Sequence, residues 1–147
     1  MAIERTLALI KPDAMARKLE GKILDQILER GFRVVAMKKI KLDKYEAGCF
    51  YAVHRKTSFY DDLTTFMSSD EMIALVLEKE NAITAWRDAL GATDPAHAAE
   101  GTIRHTWGTA KNRNICHGSD CPDSAAYEIG FFFSGIEITR SNPEVSQ

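Results

Sequence analysis

Two short stretches constrain this chain more than any other feature. Thr6-Leu7-Ala8-Leu9-Ile10 and Met72-Ile73-Ala74-Leu75-Val76-Leu77 are apolar at almost every position. Both are far too short to span a bilayer. The first reads as a strand buried on both faces, stopped by Lys11-Pro12-Asp13, and residues 72–78 read as a central strand. Any fold that accepts them must lay them in one sheet and cover that sheet.

The segments between them supply the cover. Residues 21–30 fit a helix with Ile23, Leu24, Ile27 and Leu28 in one stripe and Gly31 ending it. Residues 33–42 alternate only in part, as expected of a half-buried strand that projects beyond the core. Residues 44–53 and 59–67 read as two short helices with a break at 54–58. Asn81 is placed to cap a helix that turns Ile83, Trp86 and Leu90 inward and stops at Gly91. Residues 92–113 are polar and rich in small side chains, and a loop of that length within one domain is usually functional. Ile115-Cys116-His117 could form a short strand, and Pro122 suits the first turn of a helix reaching about Phe133. The expected fold is α+β: a ferredoxin-like βαββαβ core with a four-stranded antiparallel sheet. A helical hairpin is inserted between strands 2 and 3, and a long active-site loop precedes the last strand.

Composition narrows the function. At 45% apolar and 27% charged, residues 1–147 are expected to build one globular domain, with a polar tail from about residue 141 that is expected to be mobile. A net charge of −2 argues against nucleic acid as primary ligand, yet leaves room for a local cationic site for a small phosphate-bearing ligand. Three cysteines without framework spacing, and charges at Glu4 and Arg5 where a secretory apolar run would lie, point to a cytoplasmic protein without a membrane span. Cys116, His117 and Cys121 offer at most three ligands without paired C-x-x-C geometry, so no protein-held metal is expected there.

His117 is the candidate nucleophile. It sits at a strand end, beside Gly118, with Asn114 before it and Ser119 and Asp120 after it. Glu128 lies on the next helix beside the stripe of Ala125, Ile129 and Phe132, so its carboxylate leans toward the sheet. It could hold one ring nitrogen and leave the other free to attack. Lys11, Arg87, Arg104 and Arg113 are scattered cations that folding could gather around a phosphoryl group. No G-x-x-x-x-G-K-[ST] or G-x-G-x-x-G loop is present, so a nucleotide would have to be held by side chains.

Asn114-Ile115-Cys116-His117-Gly118-Ser119-Asp120 resembles the N-x-x-H-G-S-D signature of the nucleoside diphosphate kinases. The stretch from Arg5 through Ile10 to Ala14, Phe50-Tyr51-Ala52-Val53-His54, Gly91-Ala92-Thr93-Asp94-Pro95 and Gly101-Thr102-Ile103-Arg104 resemble further blocks of that family, in its order, over roughly residues 4–138. The resemblance implies that His117 takes the γ-phosphoryl group from a nucleoside triphosphate and passes it to a nucleoside diphosphate, by ping-pong through a phosphohistidine, with Mg²⁺ bridging the phosphates. Such an enzyme maintains nucleotide pools. The resemblance also implies phosphate contacts from Lys11, Arg87, Thr93 and Arg104, and sugar contacts from Asn114 and Lys11. Phe59 would stack on the base beside Leu63, Glu128 would orient His117, and Tyr51 and Ser119 would support the site. Asp120 could reach the metal through water, and assembly into a homo-oligomer, tetramer or hexamer, is implied as well.

The chain departs from the family pattern at His105-Thr106-Trp107, Asp70-Glu71, Lys79 and Lys111. These positions bear on loop conformation, subunit contacts and base preference, and none removes a catalytic group. A histidine phosphocarrier would not need Phe59, Thr93 and Asn114 in this order. A non-catalytic scaffold of the same fold would be marked by loss of His117, Lys11 or Arg104, and all three are present.

Overall fold

The computed structural model describes residues 3–139, so the tail from 141 lies outside the described residues. Its sheet has four strands: β1 (Ile3–Ile10), β2 (Arg33–Ile40), β3 (Met72–Glu80) and β4 (Cys116–Gly118), in the order β2-β3-β1-β4 with every neighbour antiparallel. The helices are α1 (Pro12–Ala16), α2 (Glu20–Glu29), α3 (Lys44–Phe50), α4 (Tyr60–Met67), α5 (Ala82–Leu90), α6 (Ile103–Trp107) and α7 (Pro122–Phe132). Taking β1, α2, β2, β3, α5 and β4 together gives the βαββαβ core. The α3–α4 hairpin is inserted between β2 and β3.

The two apolar runs pair with each other at the centre, Ile10 opposite Ile73 and Thr6 opposite Leu77. Side chains of a strand alternate between faces, and here both faces are covered. Leu7, Leu9, Ala74 and Val76 pack with Phe50, Met67 and Phe132 from α3, α4 and α7. Ala8, Ile10, Leu75 and Leu77 pack with Ile23, Ile27, Trp86 and Leu90 from α2 and α5. Each fully buried Leu or Ile contributes roughly 1.5–3 kcal/mol relative to exposure, so the sheet centre is the most costly part to disturb.

Strand β2 explains its own uneven pattern. Its pairing with β3 slips between Val34 and Ala36, a bulge that turns the neighbours Val35 and Ala36 into the same cluster while Val34 joins the other. The carbonyl of Val35 instead accepts from Thr139 N–H at 2.8 Å. Simple alternation could not have revealed that extra residue.

Three local expectations are corrected. Asn81 does not cap α5 with its side chain: it adopts φ +51°, and Glu4 Oε1 accepts from Ile83 N–H at 2.9 Å instead. Residues 12–16 form α1 rather than only stopping β1, because Pro12 and Asp13 suit a first helical turn. The stretch 92–113 is not loop throughout, since Thr102 Oγ accepts from His105 N–H and starts α6.

Candidate active site

The end of β1 and the start of β4 are stitched together where the chain leaves the sheet. Lys11 N–H donates to Ile115 O at 2.9 Å, and Leu9 lies opposite His117. Lys11 Nζ then reaches Asn114 Oδ1 at 2.9 Å, while the Asn114 amide donates to the carbonyls of Thr93 (2.9 Å) and Lys111 (2.8 Å). Asn114 therefore ties Lys11 at the end of β1, Thr93 three residues beyond α5 and the long loop to one point. Burial pushes the Lys11 ammonium down to about 8, with the Asp13 carboxylate opposing the shift and Arg104 reinforcing it. It is a nearly desolvated cation that a phosphate would rewet electrostatically.

His117 lines the cleft with its side chain 20% exposed. Its Nε2 lies 2.7 Å from Glu128 Oε1, so Nε2–H is the donor and Nδ1 keeps the lone pair. Ser119 Oγ donates to the same carboxylate oxygen at 2.9 Å and accepts from Leu7 N–H at 3.3 Å. The carboxylate is thus fixed to the central strand, not merely to its own helix. Phe50 and Tyr51 meet the imidazole edge-on, with ring centroids 5.6 Å and 6.5 Å away. Burial raises the Tyr51 phenol above its ordinary value, which keeps it neutral.

Arg104 approaches from α6. Its Nη1 donates to Gly91 O at 3.0 Å and its Nη2 to Cys116 O at 2.9 Å, and its buried Nε has no hydrogen-bond partner among the described residues. Trp86 Nε1 donates to His117 O at 3.0 Å, and Gly118 lets the ring come that close, since a Cβ there would lie 2.7 Å from Trp86 Cδ1.

The cleft has a volume of about 850 Å³, and Lys11, Tyr51, Phe59, Leu63, Arg87, Thr93, Arg104, Asn114, His117 and Asp120 all line it. Ser119 and Glu128 stand behind His117 rather than in the lining. Arg113, one of the four scattered cations, is not in the lining: its guanidinium sits 3.7 Å over the Phe66 ring. Residues that sequence reasoning did not single out also face the cleft. His54 lies between Tyr51 and Phe59 in tilted ring contacts, with centroids 6.3 Å and 5.3 Å away, and Asp62 accepts from the Asn112 amide at 2.8 Å. His54 lay in a family-like block that could have flagged it; Asn112 carried no signal.

The departures have local partners. Lys79 donates to Arg30 O at the end of α2 and lies 4.9 Å over the Phe32 ring, so it caps a helix C-terminus. Glu71 pairs with Lys39 at 2.7 Å, and Trp107 O accepts from Arg17. Lys111 lends its carbonyl to Asn114 and its side chain to the cleft wall.

Among the described residues no His, Cys, Asp and Glu side chains cluster in a way that could hold a metal ion. Asp120 stands at the cleft edge, and its hydrogen bond with Ser124 holds its carboxyl below the usual range, so it remains ionised. One ionised oxygen donor beside an open cationic cleft fits a hard cation that arrives on a ligand's phosphates. No described helix is long and apolar enough to cross a membrane.

Comparison with known proteins meets this geometry. The family model for nucleoside diphosphate kinase matches residues 4–138. A nucleoside diphosphate kinase of Geotalea uraniireducens (strain Rf4) is 54% identical over 136 residues, covering 92% of this chain and 99% of the relative. The structure of the Aquifex aeolicus nucleoside diphosphate kinase superposes with a TM-score of 0.92 at 47% identity, covering 94% of this chain and all of that one. A halophilic nucleoside diphosphate kinase from Halobacterium salinarum, solved in complex with CDP, gives 0.92 at 35% identity, covering 99% of this chain and 97% of its own. With the sheet order, the histidine and its carboxylate, and these matches in agreement, the chain belongs to the nucleoside diphosphate kinase family.

Proposed function

We propose that His117 carries the γ-phosphoryl group between nucleotides. The chain is a phosphotransferase of nucleotides by its family. The observation that carries this assignment is the 2.7 Å contact between His117 Nε2 and Glu128, which leaves Nδ1 as the free nitrogen of a ring facing the cleft. In the first half-reaction the Nδ1 lone pair attacks the γ-phosphorus. The N–P bond forms as the P–O bond to the β-phosphate breaks, and the diphosphate leaves with that electron pair. Positive charge appearing on the ring is met by Glu128, which accepts Nε2–H throughout. A second diphosphate reverses the steps and leaves as triphosphate.

Lys11, Arg87, Thr93 and Arg104 bind the phosphates, and Asn114 with Lys11 holds the sugar hydroxyls. Phe59, with Leu63 beside it, offers a face to any base, because stacking carries little base identity. CDP bound to the halophilic relative supports a cleft that takes nucleotides. Mg²⁺ would enter on the phosphates, with Asp120 reaching it through water, and would supply neutralisation of phosphate charge. The same reading includes a cytoplasmic location and a homo-oligomer, tetramer or hexamer. Support for assembly comes from β2, which has no strand on its outer side among the described residues and leaves Met37 53% exposed.

The test is incubation with γ-labelled ATP. Protein-bound label is expected to be acid-labile, alkali-stable, discharged by ADP, GDP or CDP, and absent in His117→Ala. Full labelling of His117→Ala would overturn the assignment.

A further inference from the structure

Ile115 is fully buried and adopts φ +79°. Across it, Cys116 N–H donates to Asn114 O at 2.9 Å, so residues 114–116 form a tight γ-turn with its centre in the positive-φ region. A β-branched side chain strongly disfavours that conformation, and it persists only where surrounding contacts impose it. The turn lies between Asn114, which meets Lys11, and His117.

Two contacts on Ile115 impose it. Its carbonyl accepts from Lys11 N–H at 2.9 Å, and its N–H donates to Asp13 Oδ2 at 3.0 Å. Asp13 stands in the first turn of α1, behind the fixed ring of Pro12 and directly after the central strand, so its carboxylate is carried on a stiff arm. Its other oxygen, Oδ1, is buried with no hydrogen-bond partner among the described residues. The hydrogen bond it does make is the one to Ile115, across 102 residues of chain.

We infer that Asp13 is a positioning residue for the reaction: by accepting Ile115 N–H it holds the strained turn that sets His117 against Lys11 and Asn114. The inference rests on His117 being the phosphoryl acceptor. The Asn114 amide has its own bonds to Lys11, Thr93 and Lys111, so the nucleotide-holding side of the turn stays in place without Asp13. What is released is the φ angle of Ile115. Relaxing it toward negative values reorients the peptide planes on either side and swings the chain leading to His117. Asp13 therefore acts on turnover more than on nucleotide affinity.

The experiment measures kcat, KM and amide exchange together in Asp13→Ala and Asp13→Asn. Misplacement on the scale of an ångström costs about a hundredfold, which is the loss of kcat expected for Asp13→Ala, with KM, measured well below pH 8 where Lys11 stays protonated, changed by no more than about threefold. The Ile115 amide should exchange faster while that of Leu9, in the central pairing, does not. Asp13→Asn keeps an acceptor oxygen and should recover much of both kcat and Ile115 protection. If Asp13→Ala does not fold, Asp13→Ser takes its place: its hydroxyl is one atom shorter than the carboxylate that reaches Ile115 N–H, and kcat and Ile115 protection must fall together. A variant that loses protection at Ile115 yet keeps kcat overturns the positioning role, as does an Asp13→Ala enzyme with wild-type turnover. Those outcomes leave His117-dependent labelling intact. Label on His117→Ala would instead remove the phosphohistidine reading and the role of Asp13 with it.

Discussion

At one end of the cleft, Lys11 and Asn114 are 6% and 4% exposed and Arg104 is clasped by two main-chain carbonyls; at the other, Phe59 is 50% exposed and leans on His54. The first end is built on β1, β4 and the ends of α5 and α6, and most of its polar atoms are hydrogen-bonded before any ligand arrives, Arg104 Nε excepted among the described residues. The second end rests on the start of α4 and on the loop around Lys111 and Asn112, joined by the Asn112–Asp62 hydrogen bond and by Arg113 over the Phe66 ring. Rigid placement is needed where bonds break. A loose aromatic platform suffices where different bases must be accepted. On the proposed reading, the contrast lets one cleft be demanding about chemistry and tolerant about its cargo.

Substitutions at the two ends should separate in size and in kind. The largest effect is expected at Lys11, where replacement by Met should lower kcat/KM about a hundredfold, as removal of a preorganised charge does. Its buried ammonium also makes a pH signature, because its value is about 8 in the free enzyme against the ordinary 10.5. Phosphate binds the protonated form, so KM should rise as pH climbs through 8, and Lys11→Arg should flatten that rise in an initial-rate profile. Stability moves the other way. Between 8 and 10.5 the unfolded chain holds this proton more tightly than the fold does, so the group's contribution grows with pH across that window and is lost as pH falls through 8. Thermal melts across that window check the sign.

At the open end the effects should be smaller and fall on binding. Phe59→Ala is expected to raise KM about tenfold, by the worth of one stacked base, and by similar factors for ADP, GDP and CDP. A loss confined to one base would break the comparison, because it would mean that edges are being read. The smallest effect belongs to Asn112→Ala, expected to move KM by no more than about threefold, since its hydrogen bond to the Asp62 carboxylate is exposed and screened by solvent. Steady-state kinetics with three diphosphates measures both. A large fall in kcat for Asn112→Ala would show that the open end is coupled to the chemistry.

The rigid end was also the more legible in the sequence. Leu7 to Ile10 and Met72 to Leu77 announce a doubly covered sheet by composition alone, and Glu128 could be aimed inward from the stripe beside it. Lys11, Arg104 and Asn114 were recognisable through family blocks rather than through any local pattern. What stayed hidden depends on contacts distant in sequence. The bulge at Val35 is a matter of pairing with β3, and the cap of α5 comes from Glu4, 79 residues before its partner Ile83. The positive φ of Ile115 is opaque for the same reason, since nothing about an isoleucine suggests a γ-turn. Helix α6 lies inside 92–113, which reads as loop from its polar, small-residue composition although Thr102 is a residue type that caps helices.

A single phosphoryl-accepting histidine, His117 on the proposed reading, has a consequence for traffic through the enzyme. On the proposed reading donor and acceptor nucleotides take turns at His117, and each must vacate the cleft before the other can use it. A diphosphate in excess will therefore settle on enzyme that has no phosphate to give, and hold it out of circulation until a triphosphate displaces it. Flux should rise, peak and decline as the acceptor pool grows, so once both pools are saturating their ratio sets the working speed.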